Sequence, residues 1–120
     1  ASSFKELGHE TMAFNYRVFK LQHIPFTNML LNKLIIKQAK NFKADLVLVH
    51  KGETILSGTI SEIKKENIAA VNWNPDEPLG VLQAFNKINN VGEYDAYFTY
   101  DTQYLKPLKE LNPNTYHLPP

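Results

Sequence analysis

A run of four apolar residues, Leu46-Val47-Leu48-Val49, constrains the fold of this chain more than any other segment. The run shows no alternation of apolar and polar residues, and the turn-like residues 50–53 follow it directly. An uninterrupted apolar strand of this kind is typical of a parallel sheet that is covered on both faces. Because parallel strands need long crossover connections, the run indicates an α/β fold with helices between the strands.

Amphipathic and short apolar segments alternate along the rest of the chain. The predicted helices cover 25–43, 56–66, 81–88 and the residues after Asp101, where Pro107 delays or kinks the helix. The predicted strands cover 9–16, 45–50, 68–73, 96–99 and 115–118. The first residues, up to Gly8, look like the end of a further helix with Gly8 as its cap. This order predicts one domain, residues 1–120, with a doubly wound, mainly parallel Rossmann-like sheet.

Composition excludes several classes of protein. With 120 residues, 43% of them apolar, the chain is long enough for one core. The chain has thirteen basic residues, only one of them arginine, and twelve acidic residues, so its net charge is only +1. We therefore expect no nucleic-acid partner. The chain has no cysteine, which excludes thiol nucleophiles and favours a cytoplasmic location. No apolar run approaches the length of a membrane span.

The common cofactor and metal motifs do not occur in this sequence. The five glycines are scattered, so neither a G-x-G-x-x-G turn nor a P-loop is present. No two of the four histidines lie three to five residues apart, which removes the paired-histidine motif for zinc. We therefore expect neither a cofactor nor a metal.

Ligands of open parallel sheets bind outside the carboxyl ends of the strands, which here are the loops 50–53, 74–78 and 99–102. His50 and Lys51 suit a general base and a contact to a phosphate or a sugar hydroxyl. In the alternative interpretation Lys51 is simply solvated and Gly52 allows the turn.

The loop 74–78 carries two acidic residues between prolines. A stiff loop suits Asp76 for hydrogen bonds to sugar hydroxyls, although capping of the following helix is an equal alternative. Trp73 is expected in the core rather than as a platform for a sugar ring. Asp101 is expected to cap the helix that follows it rather than to bind a ligand.

Five segments carry a resemblance to a known family. In order they are Phe-Lys-Glu-Leu-Gly-His-Glu (4–10), Lys-Ala-Asp-Leu-Val-Leu-Val-His-Lys-Gly-Glu (43–53), Val-Asn-Trp-Asn-Pro-Asp-Glu-Pro (71–78), Tyr-Asp-Ala-Tyr-Phe-Thr-Tyr-Asp (94–101), and Leu-Lys-Glu-Leu with Tyr-His-Leu-Pro (108–111 and 116–119). Together they resemble the N-terminal domain of CgeB-like glycosyltransferases, spore-maturation-type members of the GT-B class. The resemblance extends over nearly the whole chain and rests on the order of the segments.

The resemblance implies two Rossmann-like domains that face each other across a cleft. The N-terminal domain mainly holds the acceptor, and a C-terminal domain absent from this sequence mainly holds the nucleotide-sugar donor, without a bound metal. The resemblance also implies that the chain begins inside a helix, after a missing first strand, so that this fragment alone is inactive.

The site residues expected from the loops and the resemblance fall into two groups. The candidates for catalysis are His50 and Asp76, and those for substrate binding are Lys51, Gly52, Glu53, Asn74 and Asp101. The alternative to a glycosyltransferase is a non-catalytic Rossmann-like module that uses the same loops to bind a small ligand or a partner chain.

Overall fold

The computed structural model describes residues 5–14, 25–51, 55–74 and 90–119 of the chain. Its helices are α1 (Pro25–Phe42), α2 (Ser57–Lys65), α3 (Asn90–Glu93) and α4 (Leu105–Leu111), the last preceded by a 3-10 turn (Thr102–Tyr104). Its strands are β1 (Leu46–His50), β2 (Ala69–Asn74), β3 (Ala96–Thr99) and β4 (Thr115–His117). No helix among these residues is long and apolar enough to cross a membrane.

The described strands form a four-stranded sheet in the order β1-β2-β3-β4. All three neighbouring pairs are parallel, with Val49 opposite Asn72 and Asn72 opposite Tyr97. The parallel α/β fold expected from the apolar run and its flanking helices is therefore confirmed. Each described strand lies beside its predecessor in the chain.

The bounds of α1 follow from local chemistry. Pro25 occupies the first position, where a missing N–H costs no helical hydrogen bond. At the other end Lys43 adopts a left-handed conformation with φ 56°. Its N–H donates to the Lys40 carbonyl (3.0 Å), and the Ala44 N–H donates to the Ala39 carbonyl (3.1 Å). This pair of bonds is a Schellman motif, which satisfies the last carbonyl groups of the helix.

The segment after β3 confirms the prediction for Asp101 and Pro107. The Asp101 carboxylate caps the 3-10 turn by accepting the Gln103 N–H at 3.0 Å. Pro107 is the third residue of α4, within the first helical turn, so its missing N–H removes no bond that the helix needs. The regular helix accordingly begins at Leu105, four residues after the cap.

The core lies on one face of the sheet. Side chains from all four helices join Val49, Ala70 and Tyr97 in a single buried cluster: Leu31, Ala39, Ile60, Ile63, Val91 and Leu108. The side chains that alternate with these along each strand point to the other face, which the described residues do not cover. On that face Leu46 and Leu48 each expose 47% of their surface. The expectation that both faces of residues 46–49 are covered does not hold within the described part of the chain, where successive crossovers in one direction place the helices on one side.

At the N-terminus one expectation from the sequence is confirmed and another is wrong. Gly8 ends a helical turn with φ 91°, and its N–H donates to the Lys5 carbonyl, as predicted for a cap. The strand predicted at 9–16 is wrong for residues 9–14, which form no strand. The spacing of Met12 and Phe14 suggested alternation, but these residues gain no neighbouring strand. The predicted helix at 81–88 lies outside the described residues.

Candidate functional site

The carboxyl ends of three neighbouring strands meet at one edge of the sheet. His50 ends β1, Asn74 ends β2 and Thr99 ends β3. Because the strands are parallel and in register, Lys51 and Asp101 extend the same edge by one or two residues. The tertiary structure therefore places Lys51, Asn74 and Asp101 at one edge of the sheet, whereas the His50 side chain leaves the same edge on the opposite face, where it stacks on Trp73.

The backbone of Lys51 is held against β2 by two hydrogen bonds. Lys51 has φ 68°, a left-handed conformation that is uncommon for residues other than glycine. Its N–H donates to the Trp73 carbonyl at 3.0 Å, and its carbonyl accepts the Asn72 Nδ2 amide at 3.0 Å. The half-buried side chain of Lys51 therefore starts from a fixed point at the edge.

Two buried asparagines line the helix-covered side of this edge. Asn72 and Asn74 expose only 1% and 3% of their surface. The Asn74 Nδ2 amide donates to the Tyr97 hydroxyl at 3.2 Å, while the Asn72 Oδ1 atom is buried without a hydrogen-bond partner among the described residues. Sequence reasoning missed Asn72. Its signal was two asparagines at alternate positions of an apolar strand, which places both on one face.

Asp101 is committed to its own turn. Its Oδ1 atom accepts the Gln103 N–H at 3.0 Å, and its Oδ2 atom accepts the Gln103 Nε2 amide at 3.1 Å. Thr99, which is fully buried, lies two residues before it at the end of β3. A carboxylate has further lone pairs, so Asp101 can still accept a ligand hydroxyl, but the contacts that it makes are those of a cap.

The opposite side of the same edge is aromatic. Strand register places His50 opposite Trp73, Trp73 opposite Phe98, and Phe98 opposite Tyr116. The rings of His50 and Trp73 stack at 5.2 Å between centroids, and those of Phe98 and Tyr116 lie 5.8 Å apart. We call these four residues the aromatic row. It crosses all four described strands on the face that the described helices do not cover.

Trp73 differs from the expectation that it lies in the core. It is half-buried, belongs to the aromatic row, and donates its Nε1–H to the Leu118 carbonyl at 3.1 Å. Alternation decides this outcome, because Asn72 and Asn74 face the helices and the residue between them must face the other way. The His50 ring already stacks on the indole of Trp73, so that face of the indole is not available as a platform for a sugar.

The structure does not describe the remaining residues of the predicted site. Gly52, Glu53 and Asp76 lie outside the described residues, and so does the acidic Glu77. Within the described ranges, no three histidine, aspartate or glutamate side chains gather where they could hold a metal ion.

Comparison of the chain with models of protein families, with curated proteins and with solved structures finds no match.

Proposed function

We propose that this chain is the acceptor-side part of a glycosyltransferase, which moves a sugar from a nucleotide-sugar donor to a hydroxyl group of an acceptor. One observation supports the proposal above all others: polar residues from three neighbouring strands, Lys51, Asn74 and Asp101, lie at one carboxyl edge of a parallel sheet. Ligands of open α/β sheets bind at such edges. The resemblance to CgeB-like glycosyltransferases supplies the reaction class.

The reaction needs a base at the acceptor. As the acceptor oxygen bonds to the anomeric carbon, its proton passes to the base and the nucleoside diphosphate leaves with the electron pair of the broken bond. In this proposal His50 and Asp76 are the candidates for the base, while Lys51 contacts a phosphate or hydroxyl oxygen. Gly52, Glu53, Asn74 and Asp101 complete the binding edge.

The donor and the location belong to the same proposal. A second domain holds most of the nucleotide sugar, so the 120-residue chain alone binds acceptor but transfers no sugar. We place the reaction in the cytoplasm, because a chain without cysteine fits a reducing compartment.

The proposal is tested on the complete product of the gene. Radiolabelled nucleotide sugars are incubated with it and with acceptor oligosaccharides, and transfer, hydrolysis and calorimetric binding are measured. Lys51→Met should reduce transfer at least about tenfold, the effect of losing one charge-assisted contact. Lys37→Met, an exposed lysine on α1, is the matched control and should leave transfer unchanged. A protein that neither transfers, hydrolyses nor binds any nucleotide sugar contradicts the proposal.

The second candidate is a non-catalytic binding module. The apolar sheet face that the described residues leave uncovered favours it, because large exposed apolar patches often mark interaction sites. Binding of a small ligand or a partner chain without turnover, in the same assays, distinguishes this candidate from the enzyme.

A further inference from the structure

The helix α1 belongs to a long stretch of sequence that contains no acidic residue. Of the thirteen basic and twelve acidic residues of the chain, six basic residues and no acidic one fall within 11–44, which leaves seven basic and twelve acidic residues elsewhere. A chain whose net charge is only +1 therefore divides into a basic segment and an acidic remainder. Such asymmetry is typical of proteins that bind an anionic surface or polymer.

Three lysines of this segment form one stripe along α1. Lys33, Lys37 and Lys40 follow one another at spacings of four and three residues, so they lie within about 60° of each other around the helix axis. All three are exposed. Lys33 and Lys37 form no ion pair with a described residue, and Lys40 lies 3.5 Å from the Glu66 carboxylate in an exposed and therefore weak pair. The positive charge of the stripe is thus left largely unneutralised within the described part of the chain.

Two exposed apolar side chains lie on the same side of α1 as the lysines. Met29 and Leu30 expose 42% and 50% of their surface. Both fall within an arc of about 100° around the helix axis that also holds the three lysines. Leu31 and Ala39, on the other side of the helix, are buried in the core. We give the name basic face to the five exposed residues of this arc: Met29, Leu30, Lys33, Lys37 and Lys40.

We propose that the basic face binds the surface of a lipid bilayer that contains anionic phospholipids. The lysine ammonium groups contact the lipid phosphates, while Met29 and Leu30 enter the boundary between the headgroups and the acyl chains. The axis of α1 then lies in the plane of the bilayer surface. This inference goes beyond the proposed function and does not depend on it.

The composition of the basic face distinguishes a bilayer from other anionic partners. The face has no arginine and no aromatic ring, which are the side chains that contact phosphates in pairs and stack on bases in nucleic-acid complexes. An acidic protein supplies negative charge, but it must also place an apolar pocket against Met29 and Leu30. A bilayer offers phosphates and acyl chains together at every point of its surface. The 18 residues of α1, about 27 Å long, present the face in line to such a plane.

Co-sedimentation of the full chain with lipid vesicles tests the proposal. We expect binding to vesicles of equal parts phosphatidylcholine and phosphatidylserine. Binding to vesicles of phosphatidylcholine alone should be about a hundredfold weaker, because each of three lysines adds about fivefold near an anionic surface. Raising the ionic strength from about 0.01 M to about 0.15 M shortens the Debye length from about 30 Å to about 8 Å and should weaken the binding. Equal binding to both kinds of vesicle, or to neither, overturns the proposal.

Substitution of single lysines locates the binding surface. Lys33→Gln removes one charge of the basic face and should weaken binding to the anionic vesicles about fivefold. Lys109→Gln is the matched control, because Lys109 is an exposed lysine on α4 and its loss changes the net charge by the same amount. This control should change the binding less than about twofold. Equal effects of the two substitutions overturn the assignment to α1.

A fluorescent label tests whether the apolar residues enter the bilayer. The chain has no cysteine, so Leu30→Cys carries a single environment-sensitive fluorophore. Its emission should shift to shorter wavelength when the anionic vesicles are added. Leu111→Cys is the matched control, since Leu111 is 36% exposed on α4, and its label should show no shift. Labels that shift equally, or a label at residue 30 that does not shift, contradict the proposal. Far-ultraviolet circular dichroism verifies that each variant is folded.

A duplex oligonucleotide distinguishes a bilayer from a nucleic acid. At equal phosphate concentration it should not displace the chain from the anionic vesicles. Displacement, together with oligonucleotide binding that Lys33→Gln weakens as much as it weakens vesicle binding, assigns the basic face to a nucleic acid and overturns the proposal. The sugar-transfer assay contains no lipid, so failure of the vesicle experiments and failure of the proposed function are separate results.

Discussion

His50 and Asn74 end neighbouring parallel strands, yet their side chains leave the sheet on opposite faces. His50 pairs in register with Trp73 and stacks on its ring, whereas Asn74 is 97% buried on the helix-covered side, where it donates to Tyr97. The carboxyl edge therefore separates an aromatic environment from a polar one. A ligand that contacts both residues must bind across the rim of the sheet rather than on either face.

The stack of His50 on Trp73 predicts a change in the environment of the single tryptophan. His50→Ala removes one covering ring, so quenching of Trp73 fluorescence by acrylamide should increase. The loss of stability should be small, about 0.5 kcal/mol, because the pair is partly exposed. His117→Ala is the control, since the His117 ring contacts the Tyr100 carbonyl and not Trp73. Equal quenching in both variants contradicts the stacked arrangement.

The contacts of Asn32 predict that removal of its side-chain amide causes a large loss of stability. Its Oδ1 atom accepts the Thr59 hydroxyl at 2.8 Å and the Leu56 N–H at 3.0 Å, so α1 supplies the cap that α2 lacks in its own sequence. Asn32→Ala leaves these donors unsatisfied and should lower the free energy of unfolding by about 2 kcal/mol. Urea denaturation measures this loss. The exposed neighbour Lys33→Ala should change it by less than about 0.5 kcal/mol, and similar effects of the two substitutions contradict the prediction.

The contacts of Asn112 predict a comparable loss of stability from a second buried amide, near the C-terminus. Its buried Nδ2 amide donates to the Val91 carbonyl (2.8 Å) and to the Tyr94 carbonyl (2.9 Å), which joins the end of α4 to the segment before β3. Asn112→Ala leaves both carbonyls without this donor, and the midpoint of thermal unfolding should fall by the equivalent of about 2 kcal/mol. Glu110→Ala, on the exposed side of α4, is the control and should leave the midpoint nearly unchanged.

The backbone conformation of Lys43 predicts that substitution by glycine changes the stability of the protein in opposite directions at Lys43 and at Lys37. Because Lys43 has φ 56° in the Schellman motif, Lys43→Gly should stabilise the protein by about 1 kcal/mol. Lys37 lies in the middle of α1, where Lys37→Gly should destabilise it by about 1 kcal/mol. Chemical denaturation of the two variants measures both values. A loss of stability in Lys43→Gly would falsify the assignment of the cap.

Local patterns predicted the secondary structure well where the physical cause was itself local. The apolar stripe of α1 and the strand at 96–99 are where their sequences place them, and Gly8 and Asp101 cap as their residue types favour. The failure at 9–14 has a physical reason as well. A strand is stable only beside another strand, and alternation over a few residues cannot show that one is present.

For the candidate site, the sequence could predict where some residues lie, and their role stays a prediction. The rule for open parallel sheets located the edge with Lys51, Asn74 and Asp101, because that rule depends on strand direction alone. It did not show that the His50 and Asn74 side chains lie on opposite faces of the sheet, and it did not identify Asn72 or the position of Trp73 on the face away from the described helices. These outcomes depend on which parity of each strand faces the helices.

Sequence by itself determined most of the described elements, because apolar periodicity, capping residues and prolines act within a few residues of themselves. It also determined the parallel direction of the strands, since the connecting helices leave no short return. Only the tertiary structure decided which face of the sheet the described helices cover, and hence which aromatic and leucine side chains lie exposed together. That choice arises from strand register and crossover handedness, which join residues far apart in the chain.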